Sequence, residues 1–289
     1  MGAVVWARNR AERLSAPAVF DVHLHIPSEN GGVFQGLYGP TRTMEDFVRY
    51  LDRCGVARGI ISSAQSVWAT SPEEFRAGNR EVARWAEKYG HRFAGACVVH
   101  PVYIEEALRE IEECHRQFDM VWVGEIINYH RPYGWSYSIR QMQQVLEQVS
   151  RLKMALHIHT SEPQEIRALA EAPGFEATPV VWAHLKDGTF YEEVDVLRRY
   201  PNTYLDVAAG VNLAMGSIEY AVKHLGSRRV LFSSTPTSLP RRSRTSSAAT
   251  PTSSSHGSAR LSRRRSLSPR DQHDARNVSL NSAASTSSV

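Results

Sequence analysis

At 289 residues, 42% apolar and 22% charged, the chain is long enough for one barrel-sized domain of about 200–250 residues with an appendage, or for two small domains. Its net charge of +4 comes from one end: setting aside the nine arginines and two aspartates of residues 233–289 leaves 25 basic and 28 acidic residues in 1–232, a body at −3 with no nucleic-acid face. Cys54, Cys97 and Cys114 form no CxxC pair and argue against a disulfide framework, and the apolar run at 3–7 breaks at Arg8, too short for a signal or a membrane span, so a soluble cytoplasmic protein without membrane partners is expected.

In chain order, an extension over 1–17 precedes an apolar strand at Val19–Ile26 that contains Asp21-Val22-His23-Leu24-His25-Ile26. A Gly-rich loop, Pro27 to Arg42, leads to a helix capped by Thr43 that ends at Cys54–Gly55. Further strands are predicted at Gly59–Ala64, Phe93–His100, Met120–Ile127, Met154–Thr160, Pro179–Leu185, Thr203–Ala208 and from Arg229 to Phe232. Helical patterns fill the gaps at 71–90, 103–117, 137–151, 162–171, 190–199 and 216–225, the first opening with Ser71 as cap, Pro72 at its first position and two acidic residues. Eight near-continuously apolar strands with intervening helices predict a parallel sheet covered by helices, closed into a (β/α)8 TIM barrel. An open doubly wound sheet is the alternative, weakened because no GxGxxG follows the first strand.

A barrel places its chemistry at the C-terminal ends of its strands. Six of these strands carry a candidate ligand or base there: His23 and His25, His100, Glu125, His159, His184 and Asp206. Strand side chains repeat with period two, so His23 and His25 face the same way and their nitrogens can converge on one divalent metal. His100 and the deeper His157 fit hydrogen-bonded core roles.

The segments DVHLHI, GEI at Gly124–Ile126, HIHT at His157–Thr160 and VVWAHL at Val180–Leu185 resemble the amidohydrolase superfamily of metal-dependent TIM-barrel enzymes, over residues 18–232. The resembling branch is the amidohydrolase-related one, which holds hydrolases together with nonoxidative decarboxylases similar to aminocarboxymuconate-semialdehyde decarboxylase. The resemblance implies that His23, His25 and His159 are metal ligands and that His184 binds a second metal or polarises the substrate as the catalytic histidine. It places Glu125 where relatives similar to the TatD-type deoxyribonucleases have a bridging glutamate, with a solvent-facing or Arg-paired glutamate as the alternative. The implied cofactor is a divalent metal, zinc, whose bound water has a pKa near ~7. A metal-dependent hydrolase attacking a C–N or C–O bond of a small carbonyl substrate is the expected activity; a decarboxylase acting on a small carboxylated substrate is the alternative.

Pocket walls are expected from Pro27–Arg42 and Asn128–Tyr137, where Arg131 can clamp a substrate carboxylate and Tyr129 can cover a planar substrate, unless this aromatic loop simply packs on the barrel mouth. The resemblance then breaks. Relatives follow strand eight with a Gly-Ser-Asp-x-Pro turn, whereas this chain reads Phe232-Ser233-Ser234-Thr235-Pro236. Residues 233–289 hold eighteen serines and no aromatic residue, a composition that cannot offset chain entropy and predicts disorder. Three expectations follow: a barrel impaired by the missing aspartate, an uncovered flank that favours association of copies, and a tail read in a shifted frame from about codon 233. The arginine run Arg263–Arg265 is the one feature suited to RNA, and no nucleic-acid partner is expected.

Overall fold

Strand β1, Val19–Ile26, buries every side chain from Asp21 onward, which is the signature of a strand covered on both faces. This computed structural model describes residues 18–28, 34–36, 39–129, 134–159, 162–184, 189–208 and 216–234. After β1 comes a small antiparallel hairpin, β2 (Phe34–Gly36) with β3 (Gly39–Thr41), inside the segment expected to be a plain loop. The sheet then continues with β4 (Val56–Ser63), β5 (Phe93–Cys97), β6 (Trp122–Ile127), β7 (Ala155–His159), β8 (Val180–Trp182), β9 (Thr203–Asp206) and β10 (Val230–Leu231). All seven pairings are parallel and follow chain order. The ends of the sheet meet through a hydrogen bond from Val22 N–H to the Phe232 carbonyl at 3.1 Å.

Helices lie between the strands: α1 (Met44–Cys54), α2 (Ala64–Val67), α3 (Pro72–Lys88), α4 (Ile104–Phe118), α5 (Arg140–Arg151), α6 (Pro163–Ala170), α7 (Phe190–Leu197) and α8 (Ser217–Leu225). Thr43 caps α1 by accepting the Asp46 N–H at 3.1 Å, and Gly55 ends it at φ +73°, a conformation that favours glycine. Ser71 caps α3 in the same way, ahead of Pro72. The buried side chains of these helices, Phe47, Phe75, Val145 and Phe190 among them, form one core with the outward-facing strand residues Leu24, Ile61 and Trp182. Among the described residues no helix follows β10, and Phe20 and Phe232 beside the seam are each about half exposed. The architecture is an incomplete (β/α)8 barrel. No helix among the described residues is long and apolar enough to cross a membrane.

Several predicted boundaries move, among them the start of β4 at Val56, and two of them move for local reasons that the contacts show. Strand β5 stops at Cys97 instead of His100 because the Asn79 carboxamide takes both backbone groups of Val98, accepting from its N–H and donating to its carbonyl at 2.9 Å each. Helix α5 starts at Arg140 instead of 137 because Tyr137 is committed elsewhere. Its N–H donates to Glu165 at 2.6 Å and its hydroxyl donates to the Ile126 carbonyl at 2.7 Å. Residues 1–17, Arg131 and everything from Thr235 onward lie outside the described residues.

Candidate metal centre

The site begins with the pleat of β1, which turns Asp21, His23 and His25 to the barrel interior. Opposite them, β6 approaches β7 so closely at Gly124 that an added Cβ would lie 2.1 Å from the His157 carbonyl oxygen, and Gly124 sits at φ +121°, which other residues rarely adopt. The glycine thereby brings the next residue, Glu125, to the centre of the rim, where it is 4% exposed.

Glu125 divides its carboxylate. Oε2 lies 3.2 Å from His23 Nε2 and 3.3 Å from His25 Nε2, and those two nitrogens are 3.2 Å apart. Oε1 contacts His159 Nδ1 and lies 3.6 Å from His184 Nε2. His159 closes β7, and its ring meets that of His184 edge-on at 4.5 Å. His184, two residues beyond β8, holds φ +65°, a strained position for a residue with a Cβ and of the kind that clusters at functional sites. Its Nδ1 is buried without a hydrogen-bond partner among the described residues.

Charges in this pocket are set by mutual contact. Burial opposes protonation of His23, but the Glu125 and Asp206 carboxylates outweigh it and raise its pKa to about 10. Burial likewise works against ionised Glu125 and Asp206, and the surrounding imidazoles, His159 and His23 for the first and His23 and His157 for the second, hold both well below the usual carboxylate range. Burial lowers the pKa of His25 and of His159. Asp21, which accepts the His23 backbone N–H at 2.9 Å and the Ser234 hydroxyl, is pushed by burial to about 6.

Of the residues singled out from sequence, His23, His25, Glu125, His159 and His184 come together on one rim. Among the described residues Glu125 meets imidazoles, and it is buried instead of facing solvent. Tyr129 stands at the mouth with its hydroxyl 3.3 Å from His159 Nε2, and its ring meets Trp68 at 6.4 Å. His100 bonds the Ser66 carbonyl at 3.0 Å, as expected of a core histidine. Two partners carried little sequence signal. Ser62 lies 2.9 Å from His25 Nδ1, a role that its register opposite His25 could have suggested. Asp206, only a rim candidate in the sequence, lies 3.1 Å from His23 Nδ1 and 2.8 Å from His157 Nε2.

The donor set fits a divalent ion. His23 Nε2, His25 Nε2 and Glu125 Oε2 form a triangle with edges of 3.2–3.3 Å, the spacing of adjacent ligands around an ion with bonds of about 2.0–2.2 Å. Glu125, His159 and His184 form a second, looser group and His23, His184 and Asp206 a third, each with donor atoms within 4.8 Å of one another.

The comparisons with known proteins agree with this reading of the fold. A search of the curated proteins finds no match. Among solved structures, the barrel is similar to a dihydroxybenzoic acid decarboxylase from a Polaromonas species with bound manganese (18% identity, 76% of this chain and 86% of that one, TM-score 0.60). It is similar also to 2,6-dihydroxybenzoate decarboxylase from Rhizobium (14%, 75% and 86%, TM-score 0.57). A third is 5-carboxyvanillate decarboxylase from Novosphingobium aromaticivorans complexed with manganese (15%, 66% and 69%, TM-score 0.52). At such identities these likenesses speak for the fold alone. The family model described as amidohydrolase matches residues 20–235, from the residue before Asp21 to just past the last strand and across every ligand candidate, and by that match the chain belongs to the amidohydrolase family.

Proposed function

We propose that the barrel is a metal-dependent hydrolase in which His23, His25, Glu125 and His159 would hold two divalent ions, acting on a C–N or C–O bond of a small carbonyl substrate. The observation that carries this reading is the division of one buried carboxylate between two imidazole pairs, Oε2 toward His23 and His25 and Oε1 toward His159 and His184. Four imidazoles and one carboxylate favour zinc among the common divalent ions. When bound, such ions supply Lewis acidity and a water acidified to near-neutral pKa.

The chain's own groups do the rest. His184, partly exposed at the rim, orients and polarises the substrate carbonyl. The Tyr129 hydroxyl donates a hydrogen bond at the mouth, and Trp68 with Tyr129 forms an aromatic wall for a planar substrate. Arg131, in the same loop sequence, is the proposed carboxylate clamp.

A nonoxidative decarboxylase is the second reading, and one observation favours it. Hydrolysis needs a free base near the ions, but Phe232–Ser234 carry no carboxylate, and Asp206 already accepts four hydrogen bonds. Three similar structures also bear decarboxylase names.

Elemental analysis of protein purified without chelator tests the common core. Two equivalents of metal are expected, falling in His23→Ala and His159→Ala; unchanged content in both variants would reject the site. Assays on lactones, amides and aromatic carboxylates then separate the two chemistries by whether carbon dioxide is released.

A further inference from the structure

Asp206 ends β9 with a fully buried carboxylate whose two oxygens are used differently. Oδ1 accepts the Ala208 N–H and the Ser233 hydroxyl, both at 2.9 Å, which fixes the plane of the carboxylate. Oδ2 faces two rings, His23 Nδ1 at 3.1 Å and His157 Nε2 at 2.8 Å. The His157 ring in turn meets the His23 ring edge-on at 4.6 Å, so the histidine that shares the carboxylate also walls the one it orients. The nitrogen of His23 that Asp206 holds is therefore the one pointing away from Glu125 and His25, whereas Nε2 faces them.

An imidazole can ligate through one nitrogen only if the proton resides on the other, and a carboxylate against that N–H fixes both the tautomer and the ring plane. We propose that Asp206 is a positioning residue that keeps the His23 proton on Nδ1 and leaves the Nε2 lone pair directed at the metal, with His157 and Ser233 locking the carboxylate in place. The proposal rests on the reading of His23 as a ligand. It assigns Asp206 an orienting role instead of direct coordination, because four donors occupy its accepting positions. The neighbouring His25 is held by the same logic with a neutral partner, Ser62 Oγ at 2.9 Å from its Nδ1, so the two ligands of one strand are oriented by a charged and an uncharged group.

Nitrogen-15 NMR of the wild-type chain loaded with zinc tests the tautomer directly. A retained proton on His23 Nδ1 is expected, and a proton on Nε2 would overturn the proposal without any variant having to fold. In Asp206→Asn the amide cannot satisfy His23, His157, Ala208 and Ser233 together. Zinc affinity measured by chelator competition should fall about 10–100-fold with the number of ions unchanged. Unaltered affinity would reject the positioning role, and loss of a whole equivalent would make Asp206 a ligand. His157→Leu, which leaves the carboxylate in place but removes the Nε2 donor that anchors it, should weaken zinc binding by a smaller factor. Absence of zinc binding by the wild-type chain would instead reject the metal-centre reading itself.

Discussion

Glu125 Oε2 lies 3.2 Å from His23 Nε2, a contact that joins residues 102 positions apart and links the first strand of the barrel to its middle. Both side chains are buried, so each compensates the charge of the other in the absence of metal. Removing one partner of such a pair leaves an unpaired buried charge and costs about 3–5 kcal/mol, whereas a neutral isostere costs less. Glu125→Ala should therefore destabilise the chelator-treated protein by that amount, and Glu125→Gln by clearly less. Denaturant unfolding in the presence of a chelator measures both, and equal stability of all three proteins would contradict the ion pair.

Metal uptake should release protons. His23 carries its proton up to a pKa of about 10, whereas burial lowers the pKa of His25 and of His159, so near neutral pH His23 is the ligand that must lose a proton to bind. Apparent affinity should then rise about tenfold per pH unit between roughly pH 7 and 9. Calorimetry in two buffers of different ionisation enthalpy gives the number of protons released, and a value near zero would show that His23 is not charged in the free protein.

The Asp21 carboxyl gives the opposite pH signature to an ordinary paired carboxylate. Its folded pKa of about 6 exceeds the ordinary value of 3.8, so the folded state binds the proton more tightly than the unfolded chain. That contribution is fully present below pH 3.8 and is lost as the pH rises through 6. It amounts to roughly 3 kcal/mol. Asp21→Asn should consequently gain stability relative to wild type by about that much between pH 4 and 7. Paired unfolding curves at the two pH values decide it; a constant difference would sink the assignment.

The coding DNA offers a separate check on the tail. The family match ends at residue 235, four positions after the last strand, and the composition there changes to Ser, Arg, Thr, Pro and Ala, residues that GC-rich codons yield out of frame. Reading from codon 233 in the other two frames should reveal an aspartate within a few codons and then an amphipathic helix of period 3.6. Early stops in both frames would dismiss the idea. A chain rebuilt in the restored frame should be more soluble and more active.

Most of the barrel could be read from the sequence because its strands are buried on both faces and so appear as unbroken apolar runs, as in Val180–Trp182. The pair His23 and His25 was legible from strand pleat alone. Glu125 could be named but not placed, since its surroundings depend on how closely Gly124 lets β6 approach β7. The roles of Asp206 and Ser62 were hidden for a different reason: each acts through the far nitrogen of a histidine on another strand, and no spacing along the chain encodes that. The early end of β5 is similar, for it depends on Asn79, which comes from a helix.

The seam of the barrel has its own consequence. Strand β10 pairs through two residues on one side, and on the other a single backbone bond from Val22 is described, while Ser233 and Ser234, just past it, reach Asp206 and Asp21. The last stave is thus pinned by the same carboxylates that surround His23. Prising the cask open and disordering the ligand cradle are one event, so an ion seated at His23 would act as the hoop that keeps the staves together.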